Sequence, residues 1–162
     1  MRHFTGLLSV LIFSGIAAQG STLSVTSSVS AAASFYDYSY DFTVSGAGKG
    51  FDNIFLGSND LSPLNVVIHL NGAPTADWSY LGNDTPENYL QFFSLSSTAL
   101  AAGGTLEVTF DSIFAPSSTE FAVALNSATS QTSNQVNNVT APGAVPTPEP
   151  ATLSLLLVAS VL

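Results

Sequence analysis

The chain contains no cysteine, which removes disulfides, thiolate metal sites and cysteine nucleophiles together. It is nearly devoid of positive charge: only Arg2 and Lys49 are basic, against eleven Asp and Glu, for a formal charge of −9. Such a surface cannot neutralise phosphates, so nucleic acid and anionic lipid headgroups are poor partners, while cations and neutral polysaccharides stay open. Charged residues of both signs amount to 8% of the 162, too few for charge-laced helices. No apolar run reaches the roughly 20 residues that a spanning helix requires.

What the chain has instead is Ser, Thr, Asn and Gly, the composition of strands with hydroxylated outer faces joined by polar turns. Its length leaves room for one core once both ends are set aside as processing segments. At the N-terminus, Arg2 and His3 precede the run Leu7-Leu8-Ser9-Val10-Leu11-Ile12-Phe13 and then Gly15, Ala17, Ala18 and Gly20. A basic n-region, a short apolar h-region and a small-residue cleavage site predict a secretory signal peptide over residues 1–20, cut between Ala18 and Ser21.

Between the ends the alternation is that of strands. From Phe35 to Val44, Tyr36, Tyr38, Tyr40, Phe42 and Val44 fall on one face and Asp37, Ser39, Asp41 and Thr43 on the other, so one face is expected in the core and the other in water. The alternative is an exposed tyrosine stripe that stacks on sugar rings. Further strands are predicted at Thr22–Thr26, Asn53–Leu56, Leu64–Leu70, Asp77–Leu81, Tyr89–Leu95, Thr105–Phe110 and Glu120–Leu125. They are separated by turn chemistry such as Asn71-Gly72-Ala73-Pro74, and a short helical turn is allowed near Ser97 to Ala102. Gly46-Ala47-Gly48-Lys49-Gly50 lacks the spacing of a phosphate loop and reads as a hairpin connection. The spacing predicts an all-β fold, an antiparallel β-sandwich of immunoglobulin or jelly-roll-like type over residues 21–126. A flexible Ser/Thr/Asn/Pro-rich linker is expected over residues 127–147.

The last segment, 148–162, carries a family resemblance. Val145-Pro146-Thr147-Pro148-Glu149-Pro150-Ala151-Thr152-Leu153 resembles the PEP-CTERM sorting tail of Gram-negative bacteria, in which Pro-Glu-Pro precedes an apolar helix and a basic cluster. Consecutive X-Pro units hold the chain extended, Pro150 can open a helix, and Glu149 suits the helix N-terminal dipole. The resemblance implies that Pro148, Glu149 and Pro150 are recognised by an exosortase, a membrane-embedded processing enzyme. It implies a membrane-engaged C-terminal segment before processing, and a destination at the cell surface or in an extracellular polysaccharide matrix or biofilm. The apolar run from Ala151 covers only about a dozen residues and no basic cluster follows Leu162, so the tail is read as a partial transmembrane helix, truncated. The β domain is also similar to those found ahead of many such tails, through Trp78 and the Gly103-Gly104-Thr105-Leu106 lead-in, a likeness that brings no ligand with it.

Candidate chemistry is thin. After export His69 is the remaining imidazole, no Gly-x-Ser-x-Gly elbow accompanies the serines, and no catalytic residue can be named. Asp52, Asn59, Asp60, Asp77, Asp84 and Glu87 stand in or beside turns, where calcium could gather oxygen ligands or where they simply serve the turns, so no metal and no cofactor is assigned. The expectation is a non-enzymatic structural or adhesive surface protein. The alternatives are a carbohydrate-binding module that stacks Trp78 and Tyr80 on extracellular polysaccharide, and a calcium-stabilised adhesin.

Overall fold

The computed structural model describes residues 20–83, 88–96 and 98–143. Strands β1 (Thr22–Ala31), β2 (Tyr36–Ser45), β3 (Asn53–Gly57), β4 (Leu64–Leu70), β5 (Ala73–Pro74) and β6 (Trp78–Asn83) occupy the first half. They are followed by β7 (Tyr89–Ser94), β8 (Thr105–Ser112), β9 (Pro116–Asn126), β10 (Gln131–Thr132) and β11 (Val136–Pro142), and no helix occurs among the described residues. One sheet runs in the order β1-β2-β8-β4-β5, the other β10-β9-β3-β7-β6 with β11 also paired to β9, and every pairing is antiparallel. The two sheets share one core, as in a β-sandwich.

The core follows from the alternation of β2. Tyr38, Tyr40, Phe42 and Val44 are all buried, whereas Asp37 and Asp41 are exposed, so the tyrosine stripe is a core face and not a sugar platform. The rings continue one another: Tyr38–Tyr40 centroids lie 6.3 Å apart, Tyr40–Phe42 5.8 Å, and Phe110 of β8 sits 5.4 Å from Tyr38. Phe42 reaches Phe92 of the opposite sheet at 5.8 Å. Strand β9 of the other sheet contributes the small side chains Ala122 and Ala124 to the same core, which leaves room for rings of this size. Burying each ring contributes about 1.5–3 kcal/mol.

Three expectations are corrected. The Gly46–Gly50 segment is not a hairpin connection, because β2 and β3 belong to different sheets and the glycines carry the chain across. Gly46 has φ +97°, and a Cβ on Gly48 would stand 2.6 Å from the backbone nitrogen of Ser21, so this crossing needs residues without side chains. No helical turn forms over the described part of 97–102; Leu100 instead makes a bridge to Phe51.

The third correction concerns the linker expected over 127–147, whose described part, 127–143, belongs to the fold. β10 and β11 pair with β9, and Val139 and Ala141 are buried. Register shifts at Asn137/Val139 and Val139/Ala141 break the period of two that would have marked this strand in the sequence. Asn134 locks the segment to the start of the domain, its Oδ1 accepting from the Leu23 N–H at 2.8 Å and its Nδ2 donating to the Leu23 carbonyl at 3.1 Å.

Candidate functional site

The alternation that buries the rings of β2 turns its polar residues to the outside of the first sheet. Cross-strand register assembles them into rows: Ser30, Asp37 and Asp111; Ser28, Ser39 and Thr109; Thr26, Asp41 and Glu107; Ser24, Thr43 and Thr105. Every member of these rows bears a hydroxyl or a carboxylate. A shallow groove of about 280 Å³ lies over the first two rows, with Asn65 on its rim. Asn65 takes φ +51° at the bulge where β4 meets β8, and its Nδ2 donates to Asp111 Oδ2 at 2.6 Å. Ser30 Oγ donates to Asp37 Oδ2 at 3.2 Å. Asp37 thus faces Asp111 and Asp41 faces Glu107, carboxylate against carboxylate, an arrangement that costs stability unless something between them offsets it.

Such a surface offers many acceptors, several hydroxyl donors and the Asn65 amide. It suits the hydroxyls of a neutral polyol or a hydrated surface, and it lacks an aromatic platform. Its outward half was legible in the alternation of β2; the contributions of β8 and Asn65 were not, because pairing partners far apart in sequence leave no local pattern.

Trp78 and Tyr80, the expected ring-stacking pair, do not form an exposed platform. Trp78 is 4% exposed and belongs to the core, which corrects its reading as a stacking residue: a ring turned inward against the sheet cannot meet a sugar. Its indole N–H and the hydroxyl of Ser94, its partner across β6 and β7, are buried without hydrogen-bond partners among the described residues. Tyr80 is half-buried against the same core, its hydroxyl 3.5 Å from the Pro63 carbonyl. Among the described residues the large apolar side chains that are exposed, Leu64, Val67, Leu81, Leu95 and Ile113, are all aliphatic.

His69 stands on the outer face beside Glu107, with Nδ1 3.6 Å from Oε2 and both side chains 36% exposed, an open surface pair. Two of the turn acids, Asp52 and Asp60, are engaged by protein donors. Asp52 accepts from the Ser127 N–H at 2.8 Å and from Asn53 Nδ2 at 2.9 Å, and Asp60 accepts from the Ser62 N–H at 3.0 Å. No group of three or more acidic or histidine side chains converges among the described residues. Asp84, Glu87, residues 1–19 of the expected signal peptide and the Pro148, Glu149 and Pro150 motif lie outside the described residues.

The titratable groups inside the sandwich are structural. Burial pushes the Tyr38 and Tyr40 hydroxyls well above the ordinary phenol range, reinforced for Tyr38 by Tyr36 and Asp60 and for Tyr40 by Tyr38 and Glu120. Both therefore stay protonated and donate, Tyr38 to the Phe114 carbonyl at 2.9 Å and Tyr40 to the Thr140 carbonyl at 3.0 Å. Partial burial raises the Glu120 carboxyl above the usual carboxylate range. No protein-family model, no curated protein and no solved structure matches this chain.

Proposed function

We propose that this protein is an exported bacterial surface or extracellular-matrix protein, sorted through a PEP-CTERM-type tail by an exosortase-type enzyme, with a non-catalytic β domain of structural or adhesive role. The observation that carries the reading is the run from Val145 to Leu153, with Pro148-Glu149-Pro150 at its centre and an apolar segment after it. The domain's limits agree with it. Ser21 is buried and its Oγ donates to the Lys49 carbonyl at 2.7 Å, so the residue that follows the expected signal peptide belongs to the fold. At the other end, Gly143 still donates its N–H to the Ala115 carbonyl at 2.9 Å, just before the Pro-rich motif. The chain changes sheet at the connections β2–β3, β3–β4, β5–β6, β7–β8 and β8–β9, which favours a jelly-roll-like over an immunoglobulin-like order.

A second reading, contact with neutral extracellular polysaccharide, is favoured by the groove over Asp37, Asp111 and Asn65 and no longer by Trp78. The sorting reading is tested by placing an epitope in the exposed Asn71-Gly72 turn and following tail processing and location in cells with and without the exosortase-type enzyme. The expected result is cleavage near Pro148 to Pro150 that disappears with the enzyme. An intact tail and unchanged location in both strains would overturn it.

A further inference from the structure

A sandwich exposes the edges of its sheets, and natural proteins guard such edges with short strands, prolines, charges or bulges. Most edges of this molecule carry such guards. β5 is two residues long and contains Pro74, and the β4 stretch it leaves uncovered is bulged near Asn65. β10 is two residues long, and β11 has two register shifts and ends in Pro142. Of the two edge strands without proline, charge or bulge, β6 and β1, the ten-residue β1 is the longer. It pairs with β2 through ten consecutive residues without a bulge, and it contains neither proline nor charge.

The free side of β1 can be assigned. In an antiparallel pair the N–H and C=O of one residue point to the same side. Those of Leu23 both go to Asn134, away from β2, so Val25, Ser27 and Val29 present theirs outward as well, where they meet no hydrogen-bond partner among the described residues.

We propose that β1 is a self-association edge, at which a second copy of this chain pairs β1 with β1 antiparallel about a two-fold axis at Ser27. The strand is chemically palindromic about that residue. In this register Val25 meets Val29 of the other copy, Thr26 meets Ser28, and Ser24 meets Ser30, so valines lie with valines on one face and hydroxyls with hydroxyls on the other. Val25, Ser27 and Val29 meet Val29, Ser27 and Val25 of the other copy, which gives about six new backbone hydrogen bonds; opposite Leu23, whose outward groups Asn134 already occupies, the other copy's Ala31 turns aside and adds none.

Charge points to the same occupant. The protein carries −9 overall, which opposes contact between copies, yet the stretch from Gly20 to Tyr36 has no charged residue at all. The nearest carboxylates, on β2, would stand about three strand spacings apart across the axis, roughly 14 Å, beyond the Debye length of about 8 Å at physiological salt. Two domains joined in this way present their hydroxyl and carboxylate rows as one continuous face.

The test is sedimentation of the full chain, in a mild detergent that keeps its apolar ends dispersed, beside the exposed-face variants Thr26→Lys/Ser28→Lys and Thr26→Glu/Ser28→Glu. Both positions point to solvent, and circular dichroism checks that the fold is kept. The expected result is a concentration-dependent dimer for the unmodified chain and at least about tenfold weaker association for each variant alone, where like charges face each other. An equimolar mixture of the two variants recovers the dimer, because lysine then opposes glutamate. A chain that stays monomeric at every concentration, whether because the edge is covered by another segment or because it stays solvated, overturns the proposal. So do variants that associate as the unmodified chain does, or a mixture that fails to recover.

Discussion

The β1-β2-β8 part of the first sheet is built on long strands in unbroken register, whereas the second sheet is completed around β9 by an irregular partner and by side chains. β2 pairs with β1 over ten residues and with β8 over eight, whereas β9 meets β11 across two register shifts. In the second sheet, side chains supply what the ladder omits. Ser133 Oγ accepts the Ala124 N–H at 2.9 Å, and Asn126 Nδ2 reaches the Gly50 carbonyl at 2.5 Å. Asn53 is tied to Gln91 at 2.7 Å and to Ser127 at 2.8 Å. A sheet of the first kind writes its two faces into the sequence; one of the second kind depends on hydrogen bonds between residues that no local pattern connects.

The largest expected break in this comparison is Phe42→Ala, which removes the ring that joins the regular sheet to Phe92 of the other. It should lower unfolding free energy by about 3–5 kcal/mol in a denaturant titration. Tyr40→Phe keeps the ring stack but leaves the Thr140 carbonyl without its donor, and should cost about 0.5–1.5 kcal/mol in the same measurement.

A third substitution sharpens the contrast from outside. Asp41→Thr removes one member of the facing Asp41–Glu107 pair and should gain about 0.2–1 kcal/mol at low salt, a gain that shrinks as salt is added.

The smallest effect belongs to Glu120 on β9. Its carboxyl is raised by burial, so the folded protein holds that proton more tightly than the unfolded chain does. The group's contribution to stability is therefore full below the unfolded value and is lost as pH rises through the folded one. Glu120→Gln should raise the melting temperature near neutrality, with the advantage fading in acid. An advantage that instead grows towards acid would contradict this sign.

The positions of β2, β3, β4, β6, β7 and β8 were close to legible because each keeps its alternation or apolar run between clear turn residues. β11 was not, since its register shifts put Val136 out of step with Val139 and Ala141. Nor was the fate of Trp78: a lone aromatic among polar neighbours reads equally as platform or core until the facing sheet is known.

The sequence by itself determined the all-β class, the buried tyrosine face, the acidic and hydroxylated exterior and the two terminal motifs, because all of these are properties of local order and composition. Only the tertiary structure decided that Gly46–Gly50 crosses between sheets, that residues 131–142 close the second sheet, that Asp37 confronts Asp111, and that β1, which packs beside β11 and is clipped at Leu23 by Asn134, has no strand paired to its outer side among the described residues. Each of these rests on pairing between strands distant in the chain, and the choice of partner is made by the shared core, not by any one segment.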